Sequence, residues 1–396
     1  MIADRKNRIL SLAVFLLPPL LLLALEALSC ERMCMLTADA RLYLSIADNA
    51  LANGHFIQTA REIEGFVVPP GLPLCLLLLR LARFTVPMIA GVQGLLMGCG
   101  CLLLYRTAKG FFGPVRGLAA PAVYTAAYLR CRLYLGNIFV EHWYLFLLCA
   151  IAALLFREPR DDKRLVLLNL AGLALLLTRP AMAVVYAAIL LYTAVSCFRR
   201  KKPGLFALLL AVPLVLLGLN LLVNYRETGE WVLLQNYSGT DLYRSSCPQA
   251  SVTRREEEDF NDPVYYQVME DGSLSMGQKS EVLMRLAKTN IREDPGGFFG
   301  KALVRGQTLF LTEYRYCTLL ALLGAFLMLP HCGRTAGLLS LAVNLTVALL
   351  TALGIPEIRY TMPIWPLASL HCAALFSWAA QKLRRRREGQ APRPGG

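Results

Sequence analysis

Acidic side chains are scarce in this chain: 27 stand against 41 lysines and arginines, a net charge of +14, and only 17% of the 396 residues carry charge. Histidine is scarcer, with His55, His142, His331 and His371 the only four. None of them pairs at metal-ligand spacing, and the twelve cysteines include no CxxC, so the usual sequence marks of a zinc site are missing. Polar interruption is missing as well. Leu10 to Leu28, Leu205 to Val223 and Thr335 to Leu353 are almost unbroken apolar sequence, without the polar stripe that a soluble core helix carries. No internal repeat is visible, so the inverted-repeat signature of many transporters is not found.

What is present points to a bilayer. Hydrophobic residues make up 56% of the chain and mean hydropathy is +0.49, against about 45–50% apolar residues in ordinary soluble domains. The apolar runs have the roughly 20 residues that cross a hydrocarbon core. The first follows a basic start, Asp4-Arg5-Lys6-Asn7-Arg8, but it exceeds a usual signal-peptide core and Glu26 stands where a small-residue cleavage site would be, so it reads as a retained anchor. The excess positive charge lies in short segments between apolar runs: Arg106, Lys109 and Arg116; Arg157 to Arg164; Arg199 to Lys202; Lys382 with Arg384 to Arg387. That is the positive-inside pattern, not the single basic face of a nucleic-acid binder, so no nucleic-acid partner is expected.

Spans are expected near 9–29, 86–105, 118–135, 141–156, 165–178, 181–198, 205–223, 315–330, 335–354 and 360–379, with both termini cytoplasmic. The fold class is then an all-α polytopic membrane protein of about ten transmembrane helices. Residues 1–223 form an N-terminal membrane module containing a first external loop, 30–85. Residues 224–314 form a long external segment, 315–380 the last membrane helices, and 381–396 a basic tail, disordered from Glu388 onward. Residues 69–84 read as an interfacial or re-entrant helix whose Arg80 and Arg83 snorkel to the headgroups. Cys30 and Cys34 are one turn apart at the first loop, close enough to raise the question of a disulfide. The acidic run Glu256 to Asp259 reads as solvated surface, and Asn236-Tyr237-Ser238 matches a glycosylation tripeptide of a kind common by chance.

The first external loop holds the leading candidates. Asp39 sits just past the first membrane helix, and Tyr43, Ala47 and Leu51 follow at steps of four on one helix face. A carboxylate there is placed to act on a molecule arriving at the membrane surface, or simply to cap the helix. Pro69-Pro70-Gly71 fixes an extended entry into an apolar helix. Glu141 opens another span, Arg179 sits in the break Thr178-Arg179-Pro180, and Arg359 with Tyr360 precedes the last span. An ionisable group at such a position either faces the bundle interior, where it is functional by default, or snorkels.

The order of these landmarks resembles the protein mannosyltransferase-like family of integral-membrane glycosyltransferases with the GT-C fold, which includes the aminoarabinose transferases of lipid A, and in particular its bacterial branch. The resemblance runs over about residues 1–380: Asp39 with Tyr43, the turn Gly54-His55-Phe56, Pro69-Pro70-Gly71-Leu72-Pro73 about 30 residues after the aspartate, Glu141, Thr178-Arg179-Pro180, the stretch Asn224 to Tyr243, and Arg359-Tyr360 with Pro363 and Pro366. Two positions depart from it: Ala40 stands where many members have Glu, and Val68 where many have Lys before the prolines. The resemblance implies a plasma (inner) membrane enzyme. It would move a sugar from a polyprenyl-phosphate donor to a lipid, polysaccharide or protein acceptor at the extracytoplasmic face, among membrane lipids. Asp39 would be the catalytic base. With Val68 in place of that lysine, the donor phosphate would be bound from elsewhere, Arg41, Arg179 and Arg359 being the candidates, or the carrier would sit differently; Tyr43, Glu141, Pro69, Pro70 and Tyr360 are the candidates for lining the substrate cavity. No cofactor is expected; a divalent metal, used by some members of the wider class, has no evident second carboxylate beyond Asp48 or Glu141. The competing readings are a transporter or flippase, and an assembly subunit without catalysis.

Overall fold

The computed structural model describes residues 2–28, 36–56, 67–131, 135–156, 161–312, 315–332, 334–356 and 358–389. The reading of Cys30 and Cys34, and the tail beyond Gly389, lie outside them. Among the described residues every regular element is helical. In chain order these are α1 (Ile2–Leu28), α2 (Ala38–Asn53), α3 (Gly71–Leu81), α4 (Val86–Phe112), α5 (Pro114–Gly117), α6 (Ala119–Cys131), α7 (Val140–Phe156), α8 (Asp162–Thr178), α9 (Ala183–Arg199), α10 (Pro203–Thr228), α11 (Ser238–Ser246), α12 (Arg254–Glu258), α13 (Pro263–Glu270), α14 (Met276–Glu293), α15 (Pro295–Gly306), α16 (Arg315–Cys332), α17 (Arg334–Leu353) and α18 (Trp365–Gly389). A 3₁₀ turn, Pro180–Met182, joins α8 to α9, and another, Ile358–Ile364, leads into α18.

Among the described residues, four helical stretches are both long and apolar enough to cross a bilayer: Asn7–Ala27, Val86–Phe112, Pro180–Arg199 and Pro203–Thr228. Gly71–Leu81, Val140–Phe156, Thr318–Met328 and Ser340–Leu353 are apolar but shorter. The chain is thus a helical protein with several membrane-competent helices. In α10 only Leu209, Pro213 and Asn224 are buried. A long apolar helix that leaves nearly all its surface outside the protein needs a nonpolar solvent, and lipid supplies one.

The main core lies where α4, α6, α7, α8 and α18 meet, and includes the fully enclosed rings of Tyr105, Tyr124, Tyr128 and Tyr144. A smaller core joins α2 to α3 through Ala40, Leu44, Ala47, Leu72 and Leu76. α11 to α14 close around a third, made of Tyr243, Cys247, Phe260, Leu283 and Ala287. Arg305 ties that group to the end of α17. It is completely buried, and its guanidinium donates to the carbonyls of Ser251 (2.8 Å), Ser245 (2.6 Å) and Leu353 (3.5 Å).

Several local expectations change. Residues 71–81 are helical, but Arg80 binds the Asp48 carboxylate at 2.7 Å and 3.2 Å instead of reaching only for solvent. Glu257, in the acidic run, is no solvated surface: its carboxylate pairs with Arg244 and is largely enclosed. Glu256 closes a capping box with Thr253. Asn236 is buried, its side chain accepting from the Val67 N–H at 2.9 Å, so the glycosylation tripeptide is inaccessible in the folded chain.

Candidate functional site

Buried polar contacts fix the end of the molecule where α2 and α7 begin. Thr37 has extended backbone angles and its hydroxyl accepts from the Ala40 N–H, so Thr37, not Asp39, caps α2. That leaves Asp39 in the first turn with its carboxylate free for other contacts. Asn137 Oδ1 accepts from both the Thr37 N–H and hydroxyl at 3.2 Å. Gln93 on α4 donates to the carbonyls of Leu135 and Asn137 at 2.8 Å each and accepts from the Phe139 N–H. Glu26 near the end of α1 accepts from the N–H groups of Leu135 and Gly136. Residues 135–139 are therefore held from three helices, and they set the start of α7 and the start of α2 in one register. Each buried backbone group so satisfied avoids a penalty of about 1–3 kcal/mol.

Two ion pairs stand on this platform. Arg359 Nη1 lies 2.9 Å from Asp39 Oδ2, and Arg179 Nη1 lies 3.4 Å from Glu141 Oε1. Arg179 is the residue that ends α8, in extended conformation before Pro180. Its guanidinium is sandwiched by Tyr144 (4.9 Å) and Tyr360 (4.8 Å), while Arg359 lies over Tyr360 at 5.6 Å, contacts in which a cation is held by ring faces. Tyr43 sits among all of them. Burial, then Asp39 and Glu141, push its hydroxyl well above the ordinary tyrosine range against the pull of Arg179 and Arg359. It is thus kept as a hydrogen-bond donor.

The two pairs differ in exposure. Glu141 is 2% exposed, and among the described residues its Oε2 has no hydrogen-bond partner; the same holds for the Tyr144 hydroxyl. Asp39 keeps 47% of its side-chain surface. The cluster therefore runs from an enclosed floor, with polar atoms unmet, to an open rim.

Of the residues expected here, Asp39, Tyr43, Glu141, Arg179, Arg359 and Tyr360 come together. Arg41, two positions beyond Asp39, points off that face and stands exposed. Pro69 and Pro70 are buried at the mouth of α3 and contribute indirectly. Gly71 presses on the end of α8 so tightly that a β-carbon there would fall 2.6 Å from Thr178 Oγ1 and 2.8 Å from Leu177 O. The Pro-Pro-Gly turn thereby wedges the segment that presents Arg179. Asp39, Asp48 and Glu141 each face an arginine, and among the described residues no three His, Cys, Asp or Glu side chains gather as a metal would need.

Sequence reasoning missed Glu26, Gln93 and Asn137, whose signal was only a polar residue in an apolar helix or helix approach. It also missed Tyr237, at the start of α11, and Asp241 on it, which approach the cluster from the long segment after α10. Burial, then Tyr43 and Asp241, push the Tyr237 hydroxyl well above its usual range. Burial pushes the Asp241 carboxyl up to about 6, against Arg244 and Arg179.

An apolar cleft with a free volume of about 20 Å³ lies between α7, α8, α9, α17 and α18, bordering the turn that carries Arg359 and Tyr360. Leu148, Ile151, Val185, Ile189 and Val343 line it, with Pro363 from the turn that carries Arg359 and Tyr360. No family model matches this chain, and no curated protein matches it either.

Proposed function

We propose that this protein is a multi-pass glycosyltransferase of the plasma membrane, with about ten crossings in a GT-C-type bundle and both termini cytoplasmic. It moves a sugar from a polyprenyl-phosphate donor to an acceptor hydroxyl at the extracytoplasmic face. The observation that carries this reading is the gathering of a solvent-reachable carboxylate, Asp39, with two arginines and four tyrosines at one end of the helical body, next to an apolar cleft. A sugar linked to a lipid phosphate asks for that combination: an apolar trough for a hydrocarbon chain, cations for a phosphate, and a base for a hydroxyl.

The reaction is a single displacement. Asp39 takes the proton of the acceptor hydroxyl as its oxygen bonds to the anomeric carbon. The bond from that carbon to the phosphate oxygen breaks, and the electron pair leaves with the polyprenyl phosphate. Arg359 and Arg179 receive the charge that grows on the phosphate, each giving up part of its carboxylate contact to do so. Displacement from the face opposite the leaving group inverts the anomeric configuration.

The decisive measurement is sugar transfer by the full chain reconstituted in lipid. Asp39→Asn is expected to lower the rate by about 10²–10⁴-fold with normal expression and unchanged thermal stability. Full activity in that variant removes Asp39 as the base. Absence of any transferred product from the wild-type protein, with lipid-linked sugar moved between leaflets instead, overturns the transferase reading in favour of a translocator.

A further inference from the structure

α11 forms the far wall of the cluster, and it belongs to no membrane helix. Its approach is pinned at two points. The Asn236 side chain accepts from the Val67 N–H at 2.9 Å, just before the Pro-Pro-Gly turn, and the Gly239 N–H donates to Ser280 Oγ at 2.9 Å. Gly239 lies so close to α14 that a β-carbon would meet Ser280 O at 1.8 Å, so α11 has one seat against α14. From that seat Tyr237, which caps the start of α11, and Asp241, in its first turn, stand one turn apart, the Asp241 N–H donating to the Tyr237 carbonyl at 3.5 Å. The hydroxyl of Tyr237 feels Tyr43, Asp241, Tyr360 and Arg179, and Asp241 feels Arg244, Arg179 and Glu257. Tyr237 thus meets the field of Tyr43 on α2, and Asp241 that of Arg179 at the end of α8.

Asp241 differs from the other carboxylates of this site. Asp39 and Glu141 are matched by Arg359 and Arg179, and nearby Arg244 is taken by Glu257 and lies over Phe260. Asp241 is solvent-accessible while walled by protein, and among the described residues its carboxylate makes no hydrogen bond or ion pair. With the other charges matched one to one, Asp241 leaves the cluster with one net negative charge when ionised.

We propose that Asp241 and Tyr237 form the subsite that holds the sugar being transferred, and that this subsite accepts neutral sugars and rejects acidic ones. The inference rests on the transferase reading above and adds the sugar's recognition to it. An ionised carboxylate accepts hydrogen bonds from neighbouring ring hydroxyls, and tyrosine faces cover the apolar C–H side of a sugar ring. A uronate in the same place would set its own carboxylate against Asp241, which like-charge repulsion opposes.

The test uses the full chain in lipid nanodiscs and measures binding of four probes: farnesyl phosphate, and the same lipid phosphate carrying a neutral hexose, a neutral pentose or a hexuronate. In the wild type, at least one neutral sugar is expected to bind more tightly than bare farnesyl phosphate, and the hexuronate more weakly. In Asp241→Asn, which keeps the side-chain shape, bare farnesyl phosphate binds as before, the neutral-sugar advantage falls by roughly tenfold or more, and the hexuronate penalty disappears. Tyr237→Phe, which keeps the ring, lowers only the sugar-dependent part. If the Asn variant shifts bare and sugar-bearing lipids equally, or shifts neither, the subsite is overturned and the transferase reading stands. A wild type that binds lipid phosphate without regard to the sugar has the same meaning. A wild type that binds none of the four overturns the transferase reading, and the subsite with it.

Discussion

Arginine–carboxylate pairs occur at both ends of the helical body, and they differ in what they leave unmet. Where α8 and α10 begin, Asp162 is shared by Arg200 and Lys202, all three 30–50% exposed. Water can replace any partner there, and such pairs are usually worth little. Where α8 ends, Glu141 is 2% and Arg179 16% exposed, and one Glu141 oxygen has no partner among the described residues. A buried pair costs desolvation that its attraction only partly offsets. A protein that keeps one, with an oxygen and a tyrosine hydroxyl unsatisfied beside it, holds groups ready for something that arrives. Similar residue types thus serve as surface charge at one end and as a prepared site at the other.

The contrast can be broken most severely at Glu141. Replacing it with Ala leaves Arg179 largely buried without its counter-charge, and an expected loss of about 3–5 kcal/mol should appear in thermal unfolding. Asp162→Ala at the other end should leave the unfolding curve where it was; equal effects would erase the distinction. Gly71→Ala comes next. Its β-carbon has no room against Thr178 and Leu177, so stability should fall by about 1–3 kcal/mol. Transfer should fall further than stability accounts for, because Arg179 moves with that segment. Thr37→Ala removes the cap of α2 and its tie to Asn137, for about 1 kcal/mol. Its signature is a raised KM or lowered kcat at full occupancy of the folded state.

The smallest effect concerns pH. In the folded chain Asp241 titrates near 6, raised from 3.8 chiefly by burial. Between those values the folded chain keeps a proton that the unfolded chain releases. The stability present at low pH is therefore lost as pH rises through 6. Asp241→Asn should accordingly raise the melting temperature relative to wild type at about pH 7.5, with the gap closing toward about pH 4. A gap that does not change with pH would show that the carboxyl is not shifted.

Much of the site's membership was legible because it sits at helix ends. Counting apolar runs sets Asp39, Glu141, Arg179 and Arg359 at the ends of apolar segments, on one side of the expected topology, and the packed helices bring them together. Arg41 was expected with them as a phosphate ligand, yet two steps along a helix turn a side chain well away from the face of Asp39. Capping of α2 went to Thr37 because its extended backbone aims the hydroxyl at the Ala40 N–H. Asp241 and Tyr237 lay within the stretch Asn224 to Tyr243 that carried part of the resemblance, but nothing there singled them out; the seat of Gly239 against α14 fixes where they stand.

The sequence by itself determined that this is a helical membrane protein, since unbroken apolar runs of that length have no other stable home. It also determined which polar residues stand where those helices stop. Tertiary structure alone decided which charge meets which. The Asp39–Arg359 contact joins residues 320 positions apart, and no local rule links positions so distant. Such a pair follows from the packing of many helices, which fixes side-chain directions that periodicity within one helix leaves open.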